Sequence, residues 1–190
     1  MTPPLTVLMV CTGNVCRSPA AELLLNHALG PETGIRVHSA GVQAPTGAPI
    51  WAPVAELLRG SAMDPDAHRA RWLTEAHVRS SDLVLGMERE HRGRAVSLFP
   101  AAVRRSFTLL EFARIVDAMP ATELGDAVDP ADRLRALIAA APRYRRAGLD
   151  DIDDPYRRPL QINARVFDEI SAAVDTIARV IKPRESPHRR

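Results

Sequence analysis

Residues 5–19 read LTVLMVCTGNVCRSP, and this stretch decides how the chain folds. Leu5 to Val10 is a short apolar run rich in branched side chains, which is typical of a buried strand. A Thr-Gly-Asn turn follows, and Ser18 with Pro19 predicts the start of a helix in which Ser18 is the capping residue. The stretch therefore predicts a strand, a loop and a helix in direct succession.

The same alternation continues along the rest of the chain. Further strands are predicted at 35–40, 82–86 and 105–109, and further helices at 50–58, 87–98, 110–116 and 162–181. Such alternation indicates a parallel sheet with helices on both faces. We therefore predict an α/β fold of three layers, α/β/α, around a four-stranded parallel sheet, with the last helix packed on the sheet.

The length of 190 residues favours a single domain. Between Asp117 and Gly148 the alternation weakens, with one short helix predicted at 131–140, and this part is interpreted as an insertion. The tail at 182–190 is polar and basic, which is typical of a solvated chain end. The predicted organisation is one domain over 1–190, with an insertion at about 117–148 and a polar tail.

Composition excludes several classes of protein. The formal net charge is only +2, so no strong field gathers nucleic acid or an anionic membrane. No apolar run approaches the roughly 20 residues of a membrane span, and Met1 to Val10 lacks the features of a secretory signal. Two cysteines are too few for a disulfide framework. We expect a cytoplasmic protein, a monomer or weak homodimer, with no nucleic-acid partner and no membrane insertion.

The loop after the first strand has the composition of a phosphate-binding loop. Backbone N–H groups that lead into a helix N-terminus bind anions, and Gly13 permits a turn that a side chain would obstruct. Arg17 can hold two phosphoryl oxygens, and the same surroundings favour the thiolate form of Cys11. This combination suits phosphoryl transfer through a phosphocysteine. The other loop residues are Thr12, Asn14, Val15, Cys16 and Ser18.

Other interpretations of this loop are weaker. A nucleotide P-loop needs a lysine that is missing here, and a dinucleotide fingerprint needs three spaced glycines. A zinc site would need further Cys or His ligands. The loop could also be purely structural, with two buried cysteines beside a capping serine, but this interpretation leaves Arg17 and the Gly-Asn turn unexplained. The prediction is a site without metal or cofactor.

A second stretch, residues 150–156 (DDIDDPY), offers carboxyl groups that could protonate a leaving oxygen. Asp154 precedes proline, which biases its backbone towards an extended conformation and turns its side chain outward. Clustered carboxylates are also expected to raise one another's proton affinity. A solvated acidic loop and a magnesium site are alternatives that the spacing alone leaves open.

Together these stretches resemble the low-molecular-weight protein tyrosine phosphatases. The family signature Cys-x5-Arg-Ser corresponds to residues 11–18, and the segments 38–41, 68–74, 82–87 and 153–156 resemble its successive landmarks, over about 7–181. The resemblance implies a Rossmann-like fold of the phosphotyrosine phosphatase I type. It also implies hydrolysis of phosphotyrosine in proteins, with Cys11 as nucleophile, Arg17 as phosphate clamp and Asp154 as general acid and then base.

The resemblance further implies supporting roles around the loop. Asn14 would hold the strained loop through hydrogen bonds that reach Ser39 and His68. Ser18 would stabilise the leaving thiolate. Tyr156 would form a wall of the pocket and stack on an aryl ring of the substrate.

Cys16 would pair with Cys11 in a reversible disulfide that protects the nucleophile, and the alternative is that Cys16 merely packs in the protein interior. Val15 lies where related protein-arginine phosphatases carry threonine, which favours phosphotyrosine over phosphoarginine. Residues 157–159 (RRP) replace the aromatic residue or glycine that the family commonly carries there, so acidic phosphopeptides become plausible substrates. An arsenate reductase using an external thiol and a non-catalytic phosphoprotein-binding module remain as alternative functions.

Overall fold

The structure is a computed structural model that describes residues 4–148 and 150–182. Its centre is a sheet of four parallel strands in the order β2-β1-β3-β4. The strands are β1 (Leu5–Cys11), β2 (Ile35–Gly41), β3 (Leu83–Gly86) and β4 (Ser106–Thr108). Each lies within one residue of its predicted bounds, and the predicted α/β fold with a four-stranded parallel sheet is confirmed.

The α-helices of the described residues cover both faces of this sheet. They are α1 (Arg17–Leu29), α2 (Ala52–Gly60), α3 (Glu75–Arg79), α4 (Arg89–Leu98), α5 (Leu109–Ala118), α6 (Pro130–Ala140) and α7 (Leu160–Ile181). Short 3-10 helices lie at Pro31–Thr33, Pro100–Arg105, Ala121–Leu124 and Ala141–Tyr144.

Strand β1 lies inside the sheet because it is apolar on both faces. Val7 and Met9 belong to the larger core, which includes buried residues of α1, α5 and α7. Leu8 and Val10 belong to a smaller core that includes buried residues of α3 and α4. A strand covered by helices on both sides needs apolar residues on both faces, and every residue of β1 except Thr6 is apolar and buried.

Helix α7 carries the predicted apolar stripe and closes the larger core. It packs between α1 and α5, with Val166, Ile170, Val174, Ile177 and Ile181 all buried. Within the described residues, no helix is both long enough and apolar enough to cross a membrane.

Helix α3 is not predicted from the sequence. Its five residues bury only Val78, so they show no apolar period. Local hydrogen bonds form it instead: Thr74 Oγ1 accepts from the backbone N–H of His77, and the His77 ring accepts from the backbone N–H of Thr74. A histidine stands where such a reciprocal cap usually has Glu or Gln, so the usual sequence signal is missing.

Residues 117–148 pack on the same core as the rest of the chain. Leu134 and Leu137 of α6 are buried, and Arg133 donates from Nε and Nη2 to the carbonyl of Val180 near the end of α7, at 3.1 and 2.9 Å. The description of this part as an insertion in a single domain stays a prediction. Of the predicted polar tail, only Lys182 lies within the described residues.

Candidate active site

The loop of residues 11–18 lies at the carboxyl end of β1 and leads directly into α1. The helix begins at Arg17, with Cys16 at the N-cap position. The side chain of Cys16 makes no capping hydrogen bond. The prediction that Ser18 caps the helix is therefore wrong. Ser18 is the second helical residue, and its hydroxyl contacts the sulfur of Cys11 instead. The helix end is left open towards the loop, where its N–H groups and dipole favour an anion.

Cys11 Sγ has two hydrogen-bonding partners in this loop. The backbone N–H of Asn14 donates to the sulfur at 3.2 Å, and Ser18 Oγ lies 3.0 Å away. Ser18 Oγ accepts from the side-chain amide of Asn14 at 3.0 Å, which leaves the hydroxyl hydrogen of Ser18 free to point at the sulfur. Two hydrogen-bond donors therefore face the buried sulfur of Cys11.

Asn14 holds the loop in shape. Its φ of 53° lies in the left-handed region, which costs a non-glycine residue of order 1 kcal/mol and which Asn tolerates comparatively well. The Asn14 amide donates to Ser39 Oγ at 2.7 Å, and its Oδ1 accepts from the backbone N–H of Arg71 at 2.9 Å. His68 Nε2 lies 2.8 Å from the carbonyl oxygen of Asn14. The structure thus brings Ser39 and His68 together on Asn14.

The glycine that this geometry needs is Gly41 at the end of β2. A Cβ there would stand 2.6 Å from the Thr12 carbonyl oxygen and 2.8 Å from the Asn14 nitrogen, so a side chain would push the loop away from β2. Gly13 has a φ outside the left-handed region, and a Cβ there would first meet Val15, at 3.3 Å. The left-handed conformation of this turn therefore falls on Asn14 and not on Gly13.

The guanidinium of Arg17 is buried, with 2% exposure, and connects three parts of the site. Its Nη1 donates to the carboxylate of Glu88 and, at 2.7 Å, to the carbonyl of Ile152. Its Nη2 lies 3.3 Å from Asp154 Oδ1. A buried cation requires such partners, and they hold the planar fork of Arg17 at the edge of the loop.

Two residues of the site, Glu88 and His91, are not predicted from the sequence. Glu88 pairs with Arg17, and His91 Nε2 lies 2.9 Å from Thr12 Oγ1. Burial, and then the charge of Arg17, lowers the pKa of His91, so the ring is neutral at pH 7. Both residues follow the carboxyl end of β3, beside β1, which is the edge of a parallel sheet where ligand sites form. The location after a parallel strand is the sequence signal that could have identified Glu88 and His91 as site residues.

The aspartates of residues 150–154 do not form a cluster. Asp150 pairs with Arg114, Asp151 with Arg89, Asp153 with Arg165 and Asp154 with Arg17. Hydrogen bonds from Arg89 lower the pKa of Asp151, which is the opposite of the raised proton affinity expected for this carboxylate. Asp154 lines the pocket, with a half-exposed side chain. In the described part of the chain, no three Asp, Glu, His or Cys side chains are grouped as a metal site requires.

A pocket of about 480 Å³ opens above Cys11. Trp51 and Tyr156 both line it, with their ring centroids 5.1 Å apart in an edge-to-face arrangement. Trp51 is not predicted from the sequence, and it stands at the N-cap position of α2, where a small polar residue is usual. Val15 and Ile50, both buried, add apolar surface. The pocket therefore has a polar floor beneath apolar and aromatic walls.

Cys16 lies in the same loop but has a different character. Burial, followed by the charges of Cys11 and Asp154, raises the pKa of its thiol far above the usual range, so Cys16 stays protonated at neutral pH. Both cysteines are free in the structure. The reversible disulfide between them stays a prediction.

Known proteins resemble this chain in sequence and in structure. Residues 6–136 match the family model of the low molecular weight phosphotyrosine protein phosphatases. The "probable low molecular weight protein-tyrosine-phosphatase EpsP" of Ralstonia nicotianae is 34% identical over 145 residues, which are 75% of this chain and 98% of that protein. A protein-arginine-phosphatase of Geobacillus stearothermophilus is 28% identical over 179 residues, which are 94% of this chain and 97% of that protein.

A solved low molecular weight protein tyrosine phosphatase from T. tengcongensis has a TM-score of 0.67 and 31% identity, covering 90% of this chain and 96% of its own. The residues that match the family model contain the loop of residues 11–18 and its supports on β2 and directly after β3. The resemblance inferred from the motifs is confirmed, and the chain belongs to the low molecular weight phosphotyrosine protein phosphatase family.

Proposed function

We propose that this protein hydrolyses phosphotyrosine in proteins through a phosphocysteine intermediate. The observation that carries the proposal is that one pocket unites Cys11, the fork of Arg17 and the carboxyl group of Asp154. The loop N–H groups and Arg17 would bind the phosphoryl oxygens. Trp51 and Tyr156 would cover the phenol ring, because aromatic rings pack well edge to face or offset.

In the first step, the thiolate of Cys11 donates an electron pair to phosphorus, and the bond between phosphorus and the phenolic oxygen breaks. Asp154, in its acid form, transfers its proton to the departing oxygen. Arg17 and the loop N–H groups stabilise the charge on the phosphoryl oxygens in the transition state. The products of this step are tyrosine and S-phosphocysteine.

In the second step, water attacks phosphorus and the bond between sulfur and phosphorus breaks. The carboxylate of Asp154 accepts a proton from the attacking water, so the same residue acts as acid and then as base. The sulfur leaves as a thiolate, stabilised by the hydroxyl of Ser18 and the backbone N–H of Asn14. Inorganic phosphate is released, and Cys11 and Asp154 return to their initial states.

The walls of the pocket favour an aryl substrate. Trp51 and Tyr156 match a phenol ring, and Val15 and Ile50 offer no polar contact to a guanidinium. Among the described residues that line the pocket, Asp154 is the one carboxylate, and the reaction uses it as the acid. Hydrolysis of phosphoarginine is the second candidate, favoured by the protein-arginine-phosphatase that aligns with 94% of the chain.

Three peptides of one sequence, carrying phosphotyrosine, phosphoserine or phosphoarginine, separate these candidates. We expect kcat/KM to be at least about tenfold higher for phosphotyrosine, because its ring fills the aromatic part of the pocket. The assay measures phosphate release with EDTA and a reducing agent present. Equal rates, or a preference for phosphoarginine, would contradict the argument from Val15 and Tyr156.

An Asp154→Asn variant is expected to lower kcat for a phosphotyrosine peptide about a hundredfold, with little change in KM. The amide has nearly the shape of the carboxyl group but gives no proton to the phenolate, while the phosphate-binding groups stay in place. The loss of kcat/KM, which reports the first step, should be smaller for an aryl phosphate with a strongly acidic phenol, because that leaving group needs no proton. Initial rates with a series of aryl phosphates measure this dependence.

Asp153→Asn is the matched control, because Asp153 is half of an ion pair with Arg165 outside the lining of the pocket. This variant should keep both kcat and the dependence on the leaving group. Equal losses in the two variants, or a loss of kcat/KM in Asp154→Asn that is the same for every leaving group, would rule out Asp154 as the acid.

We further propose that the protein acts in the cytoplasm on phosphotyrosine-containing proteins. The reaction needs Cys11 as a free thiol, and both cysteines are free in the structure. Reducing compartments keep thiols in that form.

A further inference from the structure

The turn that follows Asp154 stands at the mouth of the pocket and is firmly held. The backbone N–H of Arg158 donates to the carbonyl of Pro155 at 3.1 Å, which closes a four-residue turn. Asn163, which is buried, donates from its side-chain amide to the carbonyl of Arg158 at 2.9 Å. Tyr156 is the second residue of this turn and lines the pocket, so a group on its ring lies at the entrance.

Arg157 is the third residue of the turn and has a φ of 58°, in the left-handed region. A turn with a positive φ at this position favours glycine or asparagine, because a longer side chain adds steric cost. The side chain of Arg157 folds back on the wall of the pocket, with its Cζ 5.1 Å from the centroid of the Tyr156 ring. This is a cation–π contact, and it holds the guanidinium at the entrance.

The charge of this guanidinium is not balanced by the neighbouring acid loop. Each aspartate of residues 150–154 is already paired with another arginine. Arg157 and Arg158 are exposed, and neither lies within ion-pair distance of a carboxylate belonging to the described residues. The entrance of the pocket is therefore positively charged and open to an anionic partner.

We propose that Arg157 binds an acidic side chain next to the phosphotyrosine, so that the preferred substrates carry Asp or Glu beside it. This inference rests on the proposed hydrolysis of phosphotyrosine. Residues of an extended peptide follow one another at about 3.3 Å, so a carboxylate one or two residues away can reach a guanidinium stacked on Tyr156. The planar guanidinium binds a carboxylate through two parallel hydrogen bonds.

The test uses three phosphotyrosine peptides that differ only in the residues flanking the tyrosine, which are Glu, Gln or Lys. For the unmodified protein, we expect kcat/KM to be about fivefold higher for the Glu peptide than for the Gln peptide, as suits an exposed ion pair. The Lys peptide should be the poorest substrate. The preference should shrink as salt is added, because salt screens exposed charges. Equal values for the three peptides would overturn the proposal.

Arg157→Gly is the decisive variant, because glycine adopts a φ of 58° without strain and so keeps the turn. We expect the ratio of kcat/KM between the Glu and Gln peptides to fall close to unity, while the melting temperature does not fall. Arg104→Gln is the matched control. Arg104 is exposed and precedes β4, so it lies at the amino ends of the parallel strands, whereas the pocket lies at their carboxyl ends. This control should keep the ratio of the unmodified protein.

The remaining outcomes are equally decisive. An unchanged ratio in Arg157→Gly, or a ratio lost only in Arg158→Gln, would overturn the role of Arg157. A small aryl phosphate, which has no flanking residues, separates this failure from failure of the proposed function. Equal rates for the peptides with rapid hydrolysis of the aryl phosphate would overturn the role of Arg157 alone. No hydrolysis of either kind of substrate would overturn the phosphatase mechanism and this inference with it.

Discussion

A Cys11→Ser variant is expected to lose at least about 10⁴-fold in kcat/KM for aryl phosphates, as enzymes do when their nucleophile is removed. The hydroxyl of a serine is not ionised near neutral pH, and hydrogen bonds from Asn14 and Ser18 do not change that enough to replace a thiolate. Initial rates with p-nitrophenyl phosphate measure the loss. In the unmodified protein, rapid quenching and mass spectrometry should find a phosphoryl group on Cys11.

Cys16→Ser is the matched control, because it makes the same change of atom in the same loop. The thiol of Cys16 stays protonated, since burial raises its pKa, and it therefore supplies no nucleophile. This variant is expected to keep turning over substrate. Substantial turnover by Cys11→Ser, or complete loss in both variants, would contradict the assignment of Cys11 as the only nucleophile.

An Arg17→Lys variant is expected to lose about a thousandfold in kcat/KM, because it removes paired donors to the transition state. Lysine keeps the positive charge but has no planar fork that could hold two phosphoryl oxygens. It also cannot keep both buried contacts of Arg17, with Glu88 and with the carbonyl of Ile152, while facing the pocket. Inhibition by vanadate, which resembles the transition state, should weaken more than inhibition by phosphate.

Arg133→Lys provides the control for this exchange. Arg133 also uses two nitrogens on one partner, the carbonyl of Val180, but it lies outside the lining of the pocket. We expect Arg133→Lys to lower the melting temperature while leaving activity nearly unchanged. Equal weakening of vanadate and phosphate in Arg17→Lys would contradict a role of Arg17 in the transition state.

Much of the fold and part of the site follow from local sequence patterns. The apolar run of β1 and the stripe of α7 identify buried elements because each pattern repeats within a few residues. Cys11, Arg17 and Ser18 share one loop, so a single short stretch is enough to bring them together. Their proximity to one another is therefore predictable without knowledge of the whole fold.

The partners of that loop depend on the order of the strands, which the sequence pattern does not specify. Glu88 and His91 reach the loop only because β3 pairs with β1, and Trp51 reaches it because α2 starts beside the pocket. Predictions from local sequence propensity also fail where a tertiary contact is stronger than the local preference. Ser18 contacts the sulfur of Cys11 and does not cap the helix. The aspartates of residues 150–154 do not cluster, because each of them pairs with an arginine from a different helix.

The hydrogen bond from Arg17 to the carbonyl of Ile152 joins residues that are 135 positions apart. During synthesis, the ribosome therefore releases the thiol and its phosphate cup long before the residues that supply the proton. Until Ile152 and Asp154 have emerged, the nascent chain lacks both this contact of Arg17 and the proposed acid. Full hydrolysis of phosphotyrosine is therefore expected only from chains whose translation has passed Asp154.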